Sequence, residues 1–251
     1  RKIRINRRRY RWNVNDPLTL DDDFTPEGFR EWTAERFDDK VTKLTKVIKD
    51  IVKPELPDVI GLAEIENKTV MMSILDNLRE NGIKQYSFIH YDSPDERGSD
   101  VALIYNTRSF NVINSKAIKV HLPGIEDRFT IHNSAPILVH LPGIEDRTRD
   151  ILYVKGETKN KEIIHLFVTH FPSRVEGRDK SERRRYFVAS ELRHEVYKIL
   201  SEDPSQNIVI MGDFNDTPDD NSIDEVLAAK KKFNRIEPLK LYNLLYPRYQ
   251  K

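Results

Sequence analysis

Ile163-Ile164-His165-Leu166-Phe167-Val168-Thr169-His170 is an apolar run that closes on two polar residues, and its reading decides the fold class. A short stretch of β-branched and large apolar residues reads as a buried strand. Val188, Leu192, Val196 and Ile199 then recur at helical spacing, which predicts a helix with one apolar side. Asn207 to Met211 reads as the next strand, and it too closes on polar chemistry, Gly212-Asp213-Phe214-Asn215. Strand, helix and strand in succession predict an α/β domain.

Toward the N-terminus the same alternation continues. Phe37, Val41, Leu44, Ile48 and Ile51 predict a helix that Pro54 and Pro57 end, and Val59-Ile60-Gly61-Leu62-Ala63 predicts a buried strand closing on Glu64. A second helix is predicted over Val70 to Leu78. Tyr86 to Tyr91 and Val101 to Tyr105 predict paired strands around the turn-rich loop Asp92-Ser93-Pro94-Asp95-Glu96-Arg97-Gly98, and Phe110 to Val120 adds further strand sequence. Val120 to Arg128 and Val139 to Arg147 are the same stretch, Val-His-Leu-Pro-Gly-Ile-Glu-Asp-Arg. One copy pair is too few for a solenoid, and we read it as a local duplication in a strand-turn region with no assigned function.

Composition bounds the chemistry. A chain of 251 residues suffices for one large domain, and 38% hydrophobic with 33% charged residues excludes a disordered chain. The formal net charge of +1 excludes a polycation, so attraction to nucleic acid must come from local patches. Two are present, from Arg1 to Arg11 and from Arg174 to Arg185. Without cysteine, thiolate metal sites and disulfides are excluded, and a metal must sit on oxygen or imidazole ligands, which favours hard ions. No apolar run is long enough to span a bilayer and no signal-peptide core is present. A first residue other than Met leaves the compartment open between cytoplasm and export after removal of a leader.

The strand tips carry the candidate site. In sheet-based α/β domains ligands bind beyond the carboxyl ends of strands, so Glu64, His170, Asp213 and Asn215 are candidates to converge. Glu64 is a natural hard-metal ligand at a strand tip, or else an N-cap or a solvated acid; Glu66 shares its side if the strand continues. His170 can donate a hydrogen bond to a phosphoryl oxygen. His165, flanked by apolar neighbours within its strand, reads as structural, and His90 has no setting comparable to that of His170. Asp213 and Asn215 project to one side of an extended segment, where one can activate water and the other hold phosphate; the segment taken alone reads equally as an Asx-rich turn. Ser173, Arg174 and Arg185 are candidate phosphate holders, because a guanidinium fork matches phosphate.

Four segments in this order, Gly61-Leu62-Ala63-Glu64-Ile65-Glu66-Asn67, Arg97-Gly98-Ser99-Asp100-Val101-Ala102-Leu103, Thr169-His170-Phe171-Pro172-Ser173-Arg174 and Gly212-Asp213-Phe214-Asn215, resemble the endonuclease/exonuclease/phosphatase superfamily. The loop Asp21 to Gly28 and the pairing of Ser181-Glu182 with Arg185 resemble its bacterial, endonuclease-like branch. The resemblance implies a four-layered α/β sandwich, two mostly antiparallel sheets packed face to face with helices outside. It divides the chain into a basic segment at 1–20 and the domain at 21–251. It implies a hydrolase that uses Mg²⁺ or Mn²⁺ on nucleic acid or another phosphodiester. Glu64 resembles the metal ligand, His170 the histidine that bonds the scissile phosphate, Asp213 the residue that activates water and Asn215 its phosphate-side partner. Asp100 resembles a polar residue near the site. Asn13, in Trp12-Asn13-Val14-Asn15, stands where the family opens with a strand bearing an Asn. Alternatives on the same scaffold are a phosphomonoesterase or lipid phosphodiesterase; a different class is an inactive binding module.

The family closes with a Ser-Asp-His-type motif, and nothing after Tyr249 supplies one, so the sequence reads as C-terminally truncated. The chain alone is accordingly expected to hydrolyse bis(4-nitrophenyl) phosphate weakly or not at all. Turnover at ordinary enzyme rates that Glu64→Ala abolishes would refute the incompleteness while supporting the site.

Overall fold

In the computed structural model, residues 9–10, 20–21, 25–28, 30–51, 55–95, 98–122, 129–132, 135–138, 146–174, 177–231 and 239–249 are described. Three main helices, α1 (Ala34–Asp50), α2 (Lys68–Glu80) and α3 (Arg178–Glu202), accompany seven main strands. The strands are β1 (Val59–Ile65), β2 (Tyr86–His90), β3 (Asp100–Asn106), β4 (Phe110–Ile118), β5 (Ile151–Thr158), β6 (Ile163–His170) and β7 (Asn207–Asp213). β1, β3 and β2 form one antiparallel sheet in that spatial order. β7, β6, β5 and β4 form the second, antiparallel except for β6 beside β7. A parallel pair needs a crossover, and α3 is the crossover between β6 and β7.

Alternation along the strands sorts the side chains into layers, because successive residues point to opposite faces. On β3, Val101 and Leu103 join Leu152 and Val154 of β5 and Leu166 and Val168 of β6 in a cluster between the two sheets. Ala102 and Ile104 turn the other way, into a cluster with Val41 and Ile48 of α1 and Met71, Ile74, Leu75 and Leu78 of α2. Phe167 and Tyr153 likewise leave the inter-sheet cluster for Val188, Leu192 and Val196 of α3. Each sheet therefore has one apolar face for its helices and one for the other sheet.

Most sequence-read elements fall where expected, with boundaries that move for identifiable reasons. α1 starts at Ala34 because Thr33 adopts an extended backbone and its hydroxyl accepts from the Arg36 N–H at 3.3 Å, the geometry of an N-cap. Ile51 stops outside the apolar stripe, exposed at the C-cap. α2 is capped by Asn67, whose side chain accepts from the N–H groups of Thr69 and Val70, so Glu64 is not the cap. β5 is not marked by alternation. It opens as the apolar run Ile151-Leu152-Tyr153-Val154, a pattern that periodicity cannot tell from a buried helix turn. Between β4 and β5 the start of the first duplicated stretch, His121–Leu122, pairs antiparallel with the end of the second, Asp146–Arg147. Two further pairs, Phe129–His132 with Ala135–Leu138 and parallel Ala229–Lys230 with Leu241–Tyr242, and a π-helical turn at Ser222–Val226, complete the interior of the chain.

Two glycines set how closely the strands approach. A Cβ on Gly61 would meet the Met211 side chain at 2.7 Å, so β1 and β7 pack across the inter-sheet gap at a glycine. Gly212 has a φ of +138°, and a Cβ there would stand 1.9 Å from the backbone carbonyl oxygen of Thr169. Backbone cannot yield as a flexible side chain does. We predict that Gly212→Ala combines overpacking with backbone strain and lowers stability by about 3 kcal/mol or more, read as a drop in the urea midpoint. An unchanged midpoint would show that β6 and β7 are not held together at this contact.

Candidate active site

His170 continues the side of β6 that carries Leu166 and Val168, so the alternation that builds the inter-sheet core places the imidazole at its mouth, buried. The parallel register pairs His170 with Asp213 on β7. His170 Nε2 lies 3.8 Å from Asp213 Oδ2, and His170 Nδ1 is buried with no hydrogen-bond partner among the described residues. Glu64 comes from the facing sheet. It sits in a β-bulge at the end of β1, where the register with β3 shifts between Ala63 and Ile65, and its φ of +60° is left-handed. Its carboxylate is exposed and, among the described residues, forms no hydrogen bond or ion pair. The bulge interrupts the alternation from which Glu66 was placed on the same side, and β1 ends at Ile65, so Glu66 does not share that strand geometry.

The electrostatics of His170 come from both sheets. Burial is the largest influence and depresses its pKa, because charging the ring in a low-dielectric pocket is unfavourable. The buried Arg149, just ahead of β5, acts in the same direction, while Asp213, Glu64 and Asp95 pull it back up without prevailing. Arg149 is itself held by the 95–99 loop, its Nε donating to Ser99 Oγ at 3.3 Å and lying 3.6 Å from Asp95 Oδ1. His170 is thus a neutral imidazole at neutral pH, with one N–H to donate and one nitrogen to accept.

After β7 the chain turns at Asn215, also left-handed with φ +50°. Its N–H donates to Asp213 Oδ1 at 2.9 Å and its side-chain amide to the Phe171 carbonyl at 2.8 Å, which ties this turn to the segment after β6. Phe171 N–H in turn donates to the Asp213 carbonyl at 2.8 Å. His170, Asp213 and Asn215 are therefore brought together by hydrogen bonds as well as by strand register. Ser173 is half-buried on the same segment.

The two arginines read as phosphate holders are placed otherwise. Arg185 is wholly buried at 0% exposure, with its Nε 2.8 Å from Asp216 Oδ2 and a terminal nitrogen donating to Ser181 Oγ at 2.7 Å. Sealed from solvent, it cannot take a substrate phosphate, and that expectation is corrected. Arg174 donates through Nε to the Asn215 carbonyl at 2.6 Å, and pairs with Asp216 at 2.5 Å and with Asp220. Burial opposes ionisation of Asp220, but the Thr217 N–H and hydroxyl together with Arg174 outweigh it and hold the carboxyl down at about 2. The basic run from Arg174 to Arg185 is thus in part internal ion pairing rather than a free cationic surface, which also corrects its reading as one patch.

Asp100 is fully buried. Its Oδ1 accepts from the Ser93 N–H at 3.0 Å and the Ser93 hydroxyl at 2.6 Å, and its Oδ2 faces His90 Nε2 at 3.0 Å. His90, Asp92 and Asp100 bring ligand atoms within 4.8 Å of one another, but the Asp100 oxygens already anchor the loop after β2. His90 stands out only in the fold, since its partner Asp100 lies on the next strand. His165 is satisfied at both ring nitrogens, by the Tyr153 hydroxyl at 2.8 Å and Gln206 Oε1 at 2.9 Å, in keeping with a structural histidine. Asn13 lies outside the described residues.

For a divalent ion the donors at the mouth are chemically apt. Glu64 and Asp213 offer carboxylate oxygens beside a neutral imidazole, a hard-oxygen set, and the Glu64 oxygens have no hydrogen bond or ion pair among the described residues. The fit rests on that uncommitted carboxylate.

We predict that the His170 ring titrates below the ordinary histidine value near 6.5 when followed by NMR, and that Arg149→Met raises the midpoint by removing the cation that opposes protonation. A lowered native pKa means that the stability contributed by neutral His170 is present above the unfolded value and lost as pH falls through the native one. A midpoint that does not move in Arg149→Met would show that Arg149 does not act on this ring.

With the geometry in hand, the chain can be set beside known proteins. A sequence profile described as Endonuclease/Exonuclease/phosphatase family matches residues 12–251. No curated protein sequence matches significantly. Among solved structures, the human Nocturnin catalytic domain with bound sulfate is similar at 18% identity and a TM-score of 0.52, over 76% of this chain and 61% of that one. An endonuclease/exonuclease/phosphatase from Bacteroides vulgatus is similar at 19% identity and a TM-score of 0.52, over 78% of this chain and 64% of that one. The Bacteroides thetaiotaomicron mannosyl-6-phosphatase Bt3783 is similar at 13% identity and 0.51, over 76% and 62%. The chain thus spans somewhat under two thirds of the length of these structures, and at such identities they speak for the fold. A profile match over nearly the whole chain, on an α/β fold shared with those structures, places this protein in the endonuclease/exonuclease/phosphatase family.

Proposed function

We propose that the chain is a divalent-metal-dependent phosphoesterase, most simply a nuclease that cleaves phosphodiester bonds by in-line attack of water. The observation that carries this reading is the buried imidazole of His170 at the end of β6, with Asp213 3.8 Å away on β7 and Glu64, at the end of β1 in the facing sheet, among the carboxylates that act on it. The order helix, sheet, sheet, helix, with apolar clusters at each junction, supports the four-layered sandwich that family membership implies.

Each residue has a role that its geometry permits. Glu64 is placed to hold Mg²⁺ or Mn²⁺, which when bound supplies Lewis-acid polarisation of a phosphoryl oxygen. The Asp213 carboxylate is 57% exposed, so water reaches it, and it accepts the proton that water loses on attack. His170 donates its N–H to a phosphoryl oxygen as charge develops there, and burial makes that bond stronger than it is in water. Asn215, its amide already fixed on Phe171, offers a second polar contact on the same side.

A phosphomonoesterase or lipid phosphodiesterase is the second reading, and one observation favours it. Arg174 and Arg185 are committed to acids inside the fold, which removes cationic surface that a nucleic-acid backbone would use.

The test has two arms. Calorimetry with Mn²⁺ is expected to show binding that Glu64→Ala removes, and hydrolysis of bis(4-nitrophenyl) phosphate, whatever its absolute rate, is expected to require the metal and to fall roughly 100-fold in His170→Ala. Failure to bind Mn²⁺ with the fold intact would leave a binding module. Oligonucleotide binding should weaken steeply with salt for a nuclease, since each phosphate contact releases counterions. A flat salt dependence, with hydrolysis of a phosphomonoester, would replace the nuclease by the second reading.

A further inference from the structure

Behind the candidate site lies a closed group of charges that catalysis as described above does not use. Asp216 is nearly sealed, its side chain 2% exposed, and it is approached on separate oxygens by two arginines. Arg174 reaches Oδ1 at 2.5 Å, and Arg185 Nε lies 2.8 Å from Oδ2, where the Ser222 hydroxyl also donates. Asp220 takes Arg174 as a second acid and is itself held by the Thr217 N–H at 2.6 Å and hydroxyl at 2.9 Å. Among the described residues two guanidinium groups face two carboxylates here, and opposite charges in contact offset the cost of burial.

Among the described residues it connects to the site through backbone. Arg174 Nε donates at 2.6 Å to the carbonyl of Asn215, the residue whose φ of +50° is left-handed. Asn enters that conformation more readily than other non-glycine residues, and fixed partners are what hold it there. Here the fixing donor is a guanidinium held in place by acids, because Nε and a terminal nitrogen also donate to Asp216 Oδ1 and that terminal nitrogen to Asp220. The same turn carries the Asn215 N–H onto Asp213 Oδ1 and the Asn215 amide onto Phe171.

We propose that Arg174, locked by the buried Asp216–Arg185 pair, is a positioning residue that fixes the left-handed turn at Asn215 and thereby aims the Asn215 and Asp213 side chains toward His170. This rests on the phosphoesterase reading for its consequence in catalysis, but not for the geometry itself. Arg174 acts from behind the site and does not hold substrate phosphate.

Asp216→Ala strips the wholly buried Arg185 of its counter-charge and is expected to impair folding, so the informative variant is Arg174→Gln, at a side chain 34% exposed. In Arg174→Gln the assigned Asn215 side-chain amide resonance is expected to shift, while Mn²⁺ affinity stays within about threefold of wild type. Where the wild type turns over bis(4-nitrophenyl) phosphate, kcat is expected to fall about tenfold or more with KM changed by less than about threefold. An Asn215 resonance that stays in place overturns the proposal. So does a raised KM at unchanged kcat, which would make Arg174 a direct substrate contact. The resonance decides alone if the wild type shows no turnover. Should Glu64→Ala leave hydrolysis intact, the phosphoesterase site is wrongly placed, yet the Asn215 resonance still reports whether Arg174 positions the turn.

Discussion

Everything at the mouth of the sandwich depends on how closely β6 and β7 lie side by side at their ends. Their parallel register sets His170 beside Asp213, and Gly212 permits it, because any side chain there would run into the Thr169 carbonyl. A single close contact between two backbones thus fixes the spacing of the two groups with the most evident chemistry. It also explains why the motif needs glycine immediately before its aspartate. The requirement is for room beside β6, and the positive φ at Gly212 adds a second reason that no other residue suits.

The facing sheet contributes through a different device. β1 ends in a bulge, and the residue at the bulge is Glu64 itself. A regular strand would have divided Ala63, Glu64 and Ile65 between the two faces by strict alternation; the bulge frees Glu64 from that constraint while Ile65 remains buried in the cluster under α1 and α2. The inter-sheet core is therefore uninterrupted up to the point where polar groups begin, and His170 sits at that boundary. A ring placed there is desolvated enough to stay neutral yet close enough to solvent-facing carboxylates to feel them.

The fold was largely legible in the sequence because its signals are local. The helical stripe from Phe37 to Ile48, the apolar run of β6 and the glycine-acid ending of β7 each declare themselves within a few residues. The candidate site was half legible. Glu64, His170, Asp213 and Asn215 could be picked out because each stands at the end of an apolar strand. Arg149, Asp95 and Asp216 could not, since their significance lies in contacts between residues far apart, as when Arg149 meets Ser99 across 50 positions. Arg185 shows the opposite failure. A basic residue within a basic run reads as surface, and only the fold reveals that Asp216 draws it fully inside.

Backbone strain marks the same place from an independent direction. Among the described residues six non-glycine positions have positive φ, and two of them, Glu64 in the bulge of β1 and Asn215 just past β7, stand at the strand ends that carry the candidate site. The other four, Glu31, Lys161, Ala228 and Leu239, lie in connections away from those strand ends. A left-handed residue costs roughly 1–2 kcal/mol unless its side chain or its neighbours compensate. At Asn215 the compensation is visible in three hydrogen bonds, from its N–H, its amide and its carbonyl. At Glu64 the side chain forms no hydrogen bond or ion pair among the described residues, so its carboxylate is left uncommitted. A left-handed residue whose carboxylate the chain leaves uncommitted fits the donor role proposed for Glu64, and backbone geometry reaches that residue independently of any motif.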